Sequence, residues 1–371
     1  MKVKSKSMFG FLVLVYLVMP ACAQEKSWMM GPFERAENQK PIIEPQLETV
    51  FDDPMTERSV FWESMATFNP AAIIKDKTIH VFYRAEEKLG ENEIGGHTSR
   101  LGLATSTDGV NYKRFSVPVF FPADDDQKEF EWTGGTEDPR IVVTDEGLYV
   151  LTYTQWNREY PRLAIATSKD LKNWTKHGPI FQNFKDGKYH NIETKSGAIV
   201  TQVKNGELVA AKIDEKYWMY YGVPHIWLAY SEDLINWTPV ETHEGNLAPV
   251  LSPRPGYFDS WLVEAGPPPV LTEDGIVVLY NAGNSKEIGV EDLGNRVYTG
   301  GQALFSKDQP WKLLDRGKHP FIKPEKDFEK SGQYQDGTTF LEGLVLFNDV
   351  WYLYYGTADS MVGVVTWKQK P

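Results

Sequence analysis

Apolar residues in this chain fall in short runs bounded by Gly, Pro, Asp and Asn, the pattern of strands separated by tight turns, and helical periodicity is almost absent. Ala71-Ala72-Ile73-Ile74 precedes His80-Val81-Phe82-Tyr83, and Arg140-Ile141-Val142-Val143 precedes the run from Leu148 to Tyr153. Val277 to Tyr280 and Trp351 to Tyr355 are later runs of the same kind, and the chain closes on Val362-Gly363-Val364-Val365-Thr366-Trp367. After several of these pairs comes a repeated signature. Leu101 to Tyr112, Leu163 to Trp174 and Ile226 to Trp237 each read as a strand, a Ser-x-Asp turn and an aromatic four residues after the Asp. A degraded copy spans Ala303 to Trp311. The signature predicts a hairpin whose Asp accepts turn amides and whose aromatic tucks the loop against the sheet. Four strands per unit, with units roughly sixty to seventy-five residues apart, predict a β-propeller. An array of β-sandwiches is the alternative architecture for such short strands.

The N-terminus breaks the pattern. Lys2, Lys4 and Lys6 precede an apolar stretch from Met8 to Met19, and Ala21-Cys22-Ala23 supplies small residues for cleavage. Residues 1–23 therefore read as a secretory signal, too short for a transmembrane helix. Cys22, the only cysteine, allows two endings: simple cleavage after Ala23, or a lipid anchor at Cys22. Either way the expected location is outside the cytosol, in the periplasm or on the outer membrane or cell surface. Residues 24–65 form an arm that is expected to complete a blade, and residues 66–371 are expected to form the single propeller domain. The oligomeric state is not legible.

Removing the three leader lysines takes the formal charge from −12 to −15, which argues against nucleic acid or anionic membrane as a partner. The aromatic share of 13 % suits strand packing first, and sugar stacking second. The seven histidines show no metal-ligand spacing, no Gly-rich nucleotide loop occurs, and no Gly-x-Ser-x-Gly elbow is present, so no metal or cofactor is expected.

What remains is acids and cations at strand starts. Glu137-Asp138-Pro139-Arg140 follows a Gly-Gly turn, and burial of a carboxylate there would suit a general acid; a turn Asp paired with Arg140 for structure is the simpler reading of the residues alone. Glu264 is a lone acid in an apolar stretch before Pro267-Pro268-Pro269, costly unless paired or functional. Asp359 ends the strand Tyr354-Tyr355-Gly356-Thr357-Ala358. Phe68-Asn69-Pro70, Tyr83-Arg84-Ala85-Glu86 and Thr194-Lys195-Ser196 add one polar group near a corresponding point of other units.

In this order, Asn69-Pro70, Tyr83-Arg84-Ala85, Glu137-Asp138-Pro139-Arg140, Gly266-Pro267-Pro268-Pro269 and Tyr354 to Asp359 resemble glycoside hydrolase family 130, the β-mannoside phosphorylases and β-mannosidases. The resemblance runs roughly from Phe68 to Val365 and implies a five-bladed β-propeller with an inverting, metal-free mechanism on mannose-containing oligosaccharides. It implies that Asp138 is the general acid, working through a sugar hydroxyl in the phosphorylases. Asn69, Arg84 and Asp359 are implied as mannose contacts. Arg100, Arg162 (or its neighbour Arg158) and Lys195 are implied as the basic, nucleophile-side cluster, and Arg140 is counted with the substrate-binding residues. Two departures matter. Tyr220-Tyr221-Gly222-Val223 stands where phosphorylases tend to carry a His-Arg pair, and Glu264 stands where they usually have no acid. Fewer cations weaken a phosphate dianion more than neutral water, and a carboxylate could deprotonate water. The expectation is an exported inverting β-mannosidase with Asp138 as acid and Glu264 as base, acting on β-1,2 or β-1,4 linkages. The alternatives are a phosphorylase using inorganic phosphate, a furanosidase-type propeller cleaving arabinosides, xylosides or fructosides, and a non-catalytic glycan-binding propeller.

Overall fold

The computed structural model describes residues 26–37, 39–88 and 96–369. The expected leader and Cys22 lie outside the described residues, as does part of the Glu86 to Ser99 loop. The fold is all-β, with only one α-helical turn, Lys128–Glu131, and two 3-10 turns among the described residues.

Five units follow one another. The first pairs Ala66–Lys75, Thr78–Glu86 and Ser99–Ser106 as antiparallel neighbours, and the second repeats this with Gly135–Val143, Tyr149–Trp156 and Pro161–Ser168. A parallel bridge between Ser99 and Gly135 joins these two units into one sheet. The third is built on Ala198–Ile199, Lys216–Tyr221 and Trp227–Ser231, and the fourth on Leu262–Ala265, Ile276–Gly283 and Tyr298–Phe305. The fifth contains Thr339–Phe347, Val350–Thr357 and Met361–Lys368. The arm supplies its next partner: Glu34 bridges Thr366 and Ile43 bridges Val362, both antiparallel. The leading strand of the second unit packs on those of the first and third, and Thr339–Phe347 packs back on Ala66–Lys75. Gly343 makes that last approach possible, because a Cβ there would sit 2.9 Å from the Pro70 carbonyl oxygen.

The leading strands are buried on both faces, so their sequences read as continuous apolar runs rather than alternating ones. Each of three carries a register shift near its start: between Phe68 and Pro70, between Glu137 and Arg140, and between Leu341 and Gly343. Asn69 (φ 45) and Asp138 (φ 46) occupy the left-handed region there, which Asn and Asp tolerate best. Pro70 and Pro139 follow, where a missing N–H costs no ladder bond. A bulge re-aims the side chain it carries.

The outer hairpins form as the repeated signature predicts. Asp108, Asp170 and Asp233 each accept the backbone N–H groups two and three residues on, and each is also held by the Asn three residues on. Trp237 is buried as expected, whereas Trp311, at the shortened spacing of the degraded copy, is half exposed.

Candidate active site

The first two bulges deliver Asn69, Glu137 and Asp138 to one cavity of about 620 Å³. Its walls include Asn69, Arg84, Glu86, Glu137, Asp138, Lys195, Glu264 and Asp359, drawn from all five units, and the fifth's leading strand adds Phe340. Arg84 is the hub. Its guanidinium meets Glu86 at 2.6 Å, Glu137 at 2.8 Å and Asp138 at 3.1 Å, and lies over the Phe68 ring. In a regular strand Glu137 and Asp138 would point to opposite faces. The bulge turns both onto the same guanidinium. Asn69 donates its amide to Asp138 Oδ1 at 2.7 Å, while its own Oδ1 is buried without a protein partner among the described residues.

Across the cavity, Lys195 links two carboxylates. Its ammonium is 3.5 Å from Glu264 Oε1 and 4.0 Å from Asp138 Oδ2, so these two oxygens lie no more than 7.5 Å apart. Glu264 also accepts a hydrogen bond from Ser196 Oγ. It sits on Leu262–Ala265, which pairs with Ile276–Gly283 through Asn281.

These neighbours divide the acids. Burial raises the Asp138 carboxyl, but Arg84, Lys195 and the Asn69 amide outweigh it and hold the group well below its usual value. Burial dominates at Glu137 and, with Asp138 and Glu86 beside it, raises it against the pull of Arg84. Asp359 is pushed up to about 6, again by burial and against Arg84, with Asp138 and Glu86 adding to the rise. Lys195 is raised, chiefly by Glu264. Beside the same guanidinium, Asp138 thus favours its charged form and Glu137 its protonated one.

Of the residues singled out from sequence, Asn69, Arg84, Asp138, Lys195, Glu264 and Asp359 meet in this cavity. Arg100, Arg140 and Arg162, expected to bind substrate, do not line it. Arg100 is buried between Asp53 and Glu87. Arg140 is spent on backbone carbonyls and Glu342. Arg162 donates to Tyr160 O and Asn191 Oδ1 and packs over Phe130. Sequence reasoning passed over the aromatic and polar wall of Tyr298, Gln333 and Tyr334, which sits at a strand start and on loops and carries no periodic signal. It also passed over Glu342, although a lone Glu in the apolar run from Thr339 to Phe347 is the same signal that marked Glu264. Among the described residues no cluster of His, Cys, Asp and Glu is arranged to hold a metal ion.

An acid-rich cavity with a buried carboxylate on either side of one lysine is the kind of arrangement that paired-carboxylate glycosidases use. Comparison with known proteins fixes the class. The family model for β-1,4-mannooligosaccharide phosphorylases matches residues 33–370, and the chain belongs to glycoside hydrolase family 130. It is 32 % identical over 335 residues to a 1,2-β-oligomannan phosphorylase of Thermoanaerobacter sp. (strain X514), covering 89 % of this chain and 96 % of that one. A solved structure reported with the finding that this family of mannoside phosphorylases contains glycoside hydrolases targeting β-1,2 mannosidic linkages in Candida mannan is 54 % identical. It superposes with a TM-score of 0.92 over 94 % of this chain and 96 % of that one. A glycosyl hydrolase structure from Bacteroides ovatus is 52 % identical, also with a TM-score of 0.92, over 94 % and 96 %. The chain is thus an enzyme acting on β-mannosides.

Proposed function

We propose that the chain is an exported, inverting hydrolase of β-1,2- or β-1,4-mannooligosaccharides, its units from residue 66 onward arranged as a five-bladed propeller that the 24–65 arm closes. The observation that carries hydrolysis is the pairing of Lys195 with Glu264. Seven acids and three cations (Arg84, Lys195 and Arg296) line the cavity. Arg84 is shared among three carboxylates and Lys195 stands between two, so a phosphate dianion entering beside them meets cations already neutralised and a carboxylate that repels it, and among the described residues only Arg296 of the three is without an ion pair. Water meets no such penalty, and Glu264 is placed to deprotonate it. The upper limit of 7.5 Å between the Asp138 and Glu264 oxygens overlaps only the lower end of the roughly 6.5–9.5 Å used by inverting glycosidases and also spans the roughly 5–5.5 Å of retaining ones. Inversion therefore rests on the family resemblance and not on this spacing.

In this mechanism a mannosyl unit enters beside Asn69, Arg84 and Asp359. It displaces water around Asp138, which raises that carboxyl so that it takes up a proton. Asp138 passes the proton to the leaving oxygen, directly or through a sugar hydroxyl, while Glu264 takes one from the attacking water on the opposite face.

Phosphorolysis is the second reading, and the curated relatives favour it more directly than they favour hydrolysis, the Thermoanaerobacter enzyme being a phosphorylase. Product analysis of β-1,2- and β-1,4-mannobiose with and without inorganic phosphate separates the two. Free mannose at a rate independent of phosphate is the expected outcome. Mannose 1-phosphate formed only with phosphate present would overturn hydrolysis and return Lys195 to anion binding.

A further inference from the structure

Arg140 is 1 % exposed and does not reach the cavity, yet its guanidinium touches the backbone beside both proposed catalytic carboxylates. Nη1 donates to the carbonyl of Asp138 itself at 3.1 Å. Nη2 donates to Ala265 O at 2.9 Å and Nε to Gly266 O at 3.2 Å, the two residues that follow Glu264. Nη1 also meets Glu342 Oε1 at 2.9 Å. Glu342 stands on the bulge of the fifth unit, and the adjoining Leu341 is tied in both directions to the side chain of Asn281, at 2.6 and 3.0 Å. Asn281 is in turn the strand partner of Glu264. One planar group thus connects the acid's bulge, the base's strand and the fifth unit.

We propose that Arg140, packed against Glu342, is a positioning residue that sets the separation between Asp138 and Glu264; this rests on the reading of those two as acid and base. A guanidinium offers five donors in a fixed fork, so carbonyls accepting from three of its nitrogens are held at a distance that the fork dictates. Lysine offers the same charge from one point and cannot span them. Glu342 Oε1 lies against Nη1 without a hydrogen bond and closes the fork on the side of the fifth unit. Its own carboxyl is raised by burial, with Arg140 opposing.

Arg140→Lys is the discriminating variant, because it leaves a cation beside Glu342. A misplacement on the order of 1 Å costs roughly 10²-fold in rate, so kcat on mannobiose should fall by about that factor while KM changes little. The loss should shrink on 2,4-dinitrophenyl β-mannoside, whose leaving group needs little protonation, to the extent that Asp138 is the carboxylate displaced. Glu342→Gln should show the same kcat-weighted loss, smaller in size, and serves if Arg140→Lys fails to fold. A lower Tm with kcat per folded molecule unchanged in both variants would make the pair a structural brace and overturn the proposal. Glu264→Gln measured alongside separates the failures. Normal turnover in that variant removes the base, and the spacing claim with it. An inactive Glu264→Gln beside a fully active Arg140→Lys leaves acid and base in place and overturns the role of Arg140 alone.

Discussion

At the outer hairpins, Asp108, Asp170 and Asp233 lie exposed, each accepting two backbone amides and an Asn side chain from within the next three residues. In the cavity, Asp138 and Asp359 face Arg84, Lys195 and further carboxylates from other units. The hairpin acids are satisfied locally and held below the usual carboxylate range by those bonds. The cavity acids are set by burial against long-range charges, which depress one and raise the other. One residue type therefore has two physical roles, decided by whether its partners are near in sequence or only near in space.

The comparison is broken most severely by exchanging the same atoms in each place. Asp138→Asn keeps the shape of the side chain and removes its proton chemistry, so kcat/KM should fall by about 10²–10⁴-fold with folding intact. Asp170→Asn should leave kcat and KM unchanged and lower Tm by a few degrees at most. Steady-state kinetics on mannobiose and a thermal melt read both, and an Asp138→Asn enzyme with most of its activity would remove that residue from the chemistry.

Why one half of the comparison was legible and the other only partly follows from the same distinction. The strands could be read because alternation and apolar runs are local, and the Ser-x-Asp hairpins because donor and acceptor lie within a few residues. Asn69, Asp138 and Glu264 could be placed at strand starts, but nothing in Glu137-Asp138 states that a bulge would turn both side chains onto Arg84. The arginines show the limit most clearly. From sequence, Arg84, Arg100, Arg140 and Arg162 are equivalent cations near strand ends. Only the packing of distant units shows that Arg84 faces the cavity while Arg140 faces the carbonyls of Ala265 and Gly266. Glu342 carried the lone-acid signal that marked Glu264, but its partner Arg140, three units away along the chain, shows only in the packing.

Arg100 tests that limit directly. It is buried with Asp53 and Glu87, both of which are also buried. Arg100→Met would strand two carboxylates, and breaking a buried pair in this way costs about 3–5 kcal/mol. Urea unfolding should show the midpoint falling by a corresponding amount, with KM for mannobiose unchanged in the folded enzyme. A several-fold rise in KM with no loss of stability would return Arg100 to the substrate side.

The finest test uses pH, because the two environments carry opposite signs. Asp359 titrates near 6 in the folded chain and near 3.9 when unfolded, so between those values the folded state holds a proton that the unfolded state has lost. Stability then decreases as pH rises through that window and levels off above it. Asp170 is held below its usual value by the amides of Lys172 and Asn173 and by the Asn173 side chain. Its contribution is present above the unfolded value and lost as pH falls. The amide variants isolate these contributions, since neither can titrate. The Tm of Asp359→Asn relative to the parent should climb from pH 4 to about pH 6 and then stay level, as the parent alone bears the charged carboxylate. The Tm of Asp170→Asn relative to the parent should instead drop as pH rises through the range near 3 to 4, where the parent gains its ionised turn. Two curves of the same sign would mean that the cavity does not hold Asp359 apart from solvent, and the contrast between the two sites would lose its electrostatic basis.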